Sequence, residues 1–238
     1  MRPDGRHDQL PSRFDPRMIG FIEARLWHAY YARHWPRVGL LTYRLVRGQL
    51  GLRPWPALIA TGHVARAARA WAPLQNDPET TRRELRRFYR VVARTTGAPF
   101  DADAAGDAEF DYWRIHRDMV GHPRREPLIA ALARIPATLY EAPVEAMLTS
   151  ATERERAVRL VDDIILGRRR STEAAWREIA TALIRSYLLL AETVASLGAG
   201  RHDAEAESGR TIGVPQATGA SGKPAGMPLA ERDGGVSR

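Results

Sequence analysis

Along the chain, stretches whose apolar residues recur every three or four positions alternate with short breaks rich in Pro, Gly and Asp. That spacing is the signature of amphipathic helices, and no stretch shows the two-residue alternation of a strand. Residues 1–14 are polar and aperiodic and read as a flexible lead. Asp15-Pro16 then pairs a capping residue with a proline suited to the first helical position. The helix that follows reaches about Trp35, where Pro36 kinks it or restarts it through Leu50. A loop with Gly51, Pro54 and Pro56 leads into Ala57–Ala72, and Asn76-Asp77-Pro78 starts the next helix.

The clearest period lies in Glu79–Thr96. Leu85, Phe88, Tyr89, Val92 and Thr96 fall on one side, and Arg82, Arg83, Arg86, Arg87 and Arg90 form what reads as a solvated face. Asp101–Gly121, Pro127–Tyr140 (which Pro136 kinks or divides), Pro143–Leu166 and a last helix capped by Ser171 or Thr172 and reaching about Leu197 complete the set. From Ala199 the text turns to Gly, Ala, Pro and Ser and reads as a disordered tail. The pattern predicts an all-α fold of seven or eight helices in one domain, residues 15–198.

Composition narrows the chemistry. Without Cys there is no disulfide, thiol nucleophile or Cys-bound metal. The net charge is +8, but all the basic residues except Lys223 are Arg and they are spread along the chain. This argues against a nucleic-acid binder more than the charge argues for one. The first residues have no signal-peptide core, and no apolar run has the length of a membrane span. A cytoplasmic protein is the expectation.

Two helices carry polar groups on their inward sides. Ile19, Glu23, Leu26, Trp27, Tyr30 and His34 share one stripe. On the later helix Ala102, Ala105, Glu109, Tyr112, Trp113, His116 and Val120 share another. Each stripe sets a carboxylate, an indole and a second polar ring along one face. If the two faces meet, the pocket would contact a small molecule through Glu23, Trp27, Tyr30, His63 and Trp113. Glu109 and His116 would be its catalytic acid–base pair, and Glu23, Glu109 and His116 its ligands for a divalent metal. The competing reading has Glu23 and Glu109 accepting hydrogen bonds from Trp, Tyr or Arg and fixing helix register. No Glu-x-x-His pair or HExxH occurs, nor any phosphate loop or nucleophile elbow. Asp162-Asp163 reads as a surface pair. An apolar helix face left over after core assembly would instead make the chain a homo-oligomer or an interaction protein.

The runs AARAWAPLQNDP, LRRFYRVVARTTG, EFDYWRIHR and ALIRSYLLL resemble a family of helical proteins from actinobacteria, over roughly residues 15–195. That resemblance implies a single helical domain and no activity. PALIATGHVARAA with His63, Asn76-Asp77-Pro78, Thr96-Gly97 and His116…Gly121 is similar in order to the all-α haem b oxygenases that include the latex-clearing proteins. Val64 follows His63 where that family has other elements. The similarity implies a haem with His63 or His116 as axial ligand.

Overall fold

The computed structural model describes residue 10 and residues 14–210, with side chains as far as Ala199. The expected lead (apart from Leu10 and Phe14) and the tail beyond Arg210 lie outside the described residues. Eight α-helices follow in order, with no strand among the described residues: α1 Pro16–Tyr31, α2 Trp35–Leu50, α3 Pro54–Trp71, α4 Pro78–Thr96, α5 Ala102–Met119, α6 Glu126–Leu139, α7 Val144–Ile165 and α8 Glu173–Arg210. The all-α expectation holds. The first compact unit ends at Arg201, and the residues of α8 beyond it belong to a second unit.

Local chemistry sets the boundaries. The Asp15 side chain accepts from the backbone N–H of Arg17 and Met18, and Asp77 from that of Thr80. Asp101 accepts from Asp103 and Ala104 in the same way. Each cap satisfies donors that have no partner within the helix. At its far end α4 closes on Gly97, whose φ of 72° is the left-handed conformation that glycine adopts without steric cost. Three boundaries differ from the sequence reading. Helix α3 begins at Pro54 because prolines in a first turn forfeit no hydrogen bond. Pro136 stays inside an undivided α6. Helix α8 runs past Leu197 to Arg210, beyond the last apolar position of its stripe.

Each helix from α1 to α6 is followed by one that packs against it. Helix α8 then returns to both α7 and α1. Ser150 and Ser186 exchange hydrogen bonds between α7 and α8, and Gly20 of α1 lies against the backbone of Ile184. A Cβ at Gly20 would stand 2.6 Å from the Ile184 nitrogen, so only glycine permits this crossing. Gly106 does the same for α5 against Arg86 of α4. The result is a closed ring of eight helices.

The Arg face of α4 is not simply solvated. Arg82 and Arg86 both bond Asp107, and Arg90 bonds Asp103, which ties α4 to α5. One segment, Glu173–Ala199 of α8, is long and apolar enough to cross a bilayer by length and composition alone, a test that a buried core helix also passes. Here Ile179, Leu183, Tyr187, Leu190 and Val194 from it are buried in the ring's core.

Candidate functional site at the centre of the ring

The ring encloses a cavity of about 510 Å³, and all eight helices contribute to its wall. Each turns one stripe inward at helical spacing; on α7 it is Ala151, Arg154, Val158, Val161 and Ile165. The wall is mainly aromatic and aliphatic. Its most exposed residues, Tyr31, Val120 and Ile165, lie at or just past the C-terminal ends of α1, α5 and α7 and mark the mouth.

The two stripes singled out in the sequence do meet here. Glu23, Trp27, Tyr30, Glu109, Trp113 and His116 all line this one cavity. The bonds they make are the register-fixing kind. Arg154 donates to both carboxylate oxygens of Glu23, and the Tyr187 hydroxyl donates to Glu23 Oε2 at 2.8 Å. The guanidinium also lies over the rings of Trp27 and Tyr187, at 5.8 and 5.5 Å from their centroids. Glu109 accepts from Trp113 Nε1 at 2.8 Å and from the Tyr89 hydroxyl at 3.2 Å. Burial pushes the Glu109 carboxyl above its ordinary range, and the two hydrogen bonds and Arg154 only partly offset it. Burial likewise raises Tyr89, Tyr112 and Tyr187, so these phenols stay protonated at neutral pH.

His116 reaches the wall near the mouth, stacked on Tyr112, and its Nε2 is 2.9 Å from Asp162 Oδ1. Asp162 is not a surface residue, since only 2% of it is exposed. It belongs to a buried network in which Arg125 donates to Asp162 Oδ2 at 2.7 Å, Glu155 Oε1 at 2.8 Å and the Met119 carbonyl at 2.6 Å. Sequence reasoning missed this because α7 is covered on more than one side, so the face opposite its apolar stripe is interior too.

His63 does not line the cavity, and His34 is exposed. The Nδ1 of His63 stands 2.8 Å from Glu84 Oε2 and 2.7 Å from Arg66 Nη2, so it donates to one or accepts from the other according to tautomer. Burial works to raise Glu84, but bonds with His63, Arg66 and Arg87 outweigh it and hold its carboxyl at about 2. A depressed carboxylate contributes stability that is present above its unfolded pKa and lost as pH falls through the folded one. Glu84→Gln is therefore expected to lower stability at neutral pH by up to about 3 kcal/mol, less what solvent screens at half-exposed Arg66 and Arg87. In urea titrations the gap from the wild type should shrink between pH 4.5 and about 2. A constant gap would mean that the ion cluster is not its source.

The metal set does not assemble. Among the described residues no three His, Asp or Glu side chains converge as a metal ion requires, and Glu23, Glu109 and His116 are engaged by separate partners. Nor do the residues fit a haem. His63 faces away from the cavity into its own ion cluster, and the Nε2 of His116 is taken by Asp162.

Arg154 and Tyr187 are the polar residues of the cavity wall that sequence reasoning did not place there. Their signal was present for Arg154, which falls at i, i+4, i+7 and i+11 with Val158, Val161 and Ile165. An Arg in line with an apolar stripe calls for a buried partner. No family model, no curated protein and no solved structure matches the chain.

Proposed function

We propose that the chain binds a mainly apolar small molecule in the cavity of the helix ring. The observation that carries this reading is a 510 Å³ space with a mainly aromatic and aliphatic wall, in which Glu23 is paired with Arg154 and Glu109 accepts from Trp113 and Tyr89. Ligand pockets typically measure about 300–1,000 Å³. A protein of this size does not leave such a volume open in its core without cost, because native interiors are close-packed. With Glu23 held by Arg154 and both oxygens of Glu109 accepting, the wall has little left to recognise a charged head group. Selectivity then rests on shape and on the rings of Trp27, Tyr112 and Trp113. In this reading Glu109 and His116 position the wall and carry no chemical step.

A titration with a neutral dye whose emission brightens in apolar surroundings tests this. One saturable site is expected, and Ala68→Trp, which adds an indole to the cavity wall, should weaken binding by about tenfold or more. Unchanged binding in that variant, with helix content retained, would place the dye elsewhere and refute the assignment. A Soret band on the purified protein would instead revive the haem reading.

A further inference from the structure

We propose that the mouth end of the ring docks onto an anionic lipid bilayer. Four connections gather at this end: residues 32–34, 72–77, 120–125 and 166–172. Their ends are tied together. Arg117, late in α5, donates to the Trp71 carbonyl at the end of α3 at 2.5 Å, and Gly121 lies against Leu166. Tyr30 packs edge-on against Trp35, at 5.8 Å between ring centroids.

Two properties coincide on this surface. Tyr31, Trp35, Leu74, Val120, Ile165 and Leu166 are exposed around the mouth, and Leu74, beside Pro73, is 102% exposed. Arg33, Arg124, Arg168 and Arg170 are exposed in the same connections, where Asp77 is the one carboxylate; Asp118 and Asp163 stand in the last turns of α5 and α7, and Asp163 lies 3.9 Å from Arg168. Glu79, Glu126 and Glu173 occupy the first turns of α4, α6 and α8, where the helix N-terminus offsets their charge. The opposite end differs. The difference is one of charge: there the connections 51–53, 97–101 and 140–143 carry only Arg53, Asp101 and Glu141 as charged residues, although Met18 and Phe21 on α1 and Trp55, Leu58 and Ile59 on α3 are also exposed.

A bilayer surface rewards both features at once, since apolar side chains enter the headgroup boundary while arginines meet anionic lipid. Nucleic acid would engage the arginines but offers a fully exposed leucine nothing. Docking in this orientation would set the cavity mouth on the lipid, from which an apolar ligand could enter. That last step rests on the ligand-binding reading, whereas docking stands on the rim alone.

Flotation of the full chain with vesicles of equal phosphatidylglycerol and phosphatidylcholine, against vesicles of phosphatidylcholine alone, tests the docking. Binding is expected to the first only, and to be lost on raising salt from about 0.1 M to about 0.5 M. Trp35→Ser with Leu74→Ser, and separately Arg168→Gln with Arg170→Gln, should each weaken it about tenfold or more while helix content by circular dichroism is kept. No binding to the anionic vesicles, equal binding to both kinds, or retention by either double variant would overturn the proposal. So would binding to duplex DNA that survives the serine variant when vesicle binding is absent. Dye uptake measured on the same proteins reports the cavity independently, so failure of docking and failure of ligand binding are told apart.

Discussion

Arg125→Ala is expected to destabilise the protein by about 3–5 kcal/mol, the largest effect of any single substitution considered. Arg125 is 3% exposed and is the cation shared by Glu155 and Asp162, each of which is also buried. Removing it leaves Asp162 with only His116, and Glu155 with only the half-exposed Arg159. It also removes one of two donors to the Met119 carbonyl at the end of α5, which keeps the His122 N–H. For a domain of this size the melting temperature should fall by about 10 °C or more. The damage should be greatest where α5, α6 and α7 meet, which amide hydrogen exchange would locate. A loss below about 1 kcal/mol would show that water replaces the guanidinium, and that the network is not closed.

The second large effect concerns the cavity wall. Arg154→Met should cost about 3 kcal/mol, because Glu23, 4% exposed, would keep a charge with only the Tyr187 hydroxyl to meet it. Adding Glu23→Gln should recover most of that loss, since the double variant leaves no unpaired charge. Urea titrations of the two single variants and the double give the coupling directly. Additive costs would mean that the two residues act separately, against the geometry. The double variant should still bind the neutral dye, because the pair holds the wall in register and is not proposed to grip the ligand.

The fold was legible because its signals are local. Asp15-Pro16, Asp77-Pro78 and Gly97 mark helix ends through bonds that close within four residues. The convergence of Glu23 and Glu109 on one cavity could be guessed from matching stripes, and the structure brings them together there. What they bond to could not be read in the same way. Tyr187 lies 164 positions from Glu23, and the pattern alone favours no particular partner over that distance. Asp162 shows a different limit. Period analysis assumes one buried face per helix, and α7 faces the cavity, α6 and α8 at once, so a residue off the main stripe was placed at the surface. The haem and metal expectations relied on residue types in order along the chain. His63 and His116 fall in the expected order, yet one faces Glu84 and the other Asp162.

The central claim is that the ring holds an apolar molecule. Isothermal titration of the protein with a neutral medium-chain alcohol at two or more temperatures tests it most directly. The account predicts saturable one-to-one binding with a negative heat-capacity change, the mark of apolar surface leaving water, and its loss in Ala68→Trp. Heats that never saturate, or saturable binding that Ala68→Trp leaves intact, would contradict it.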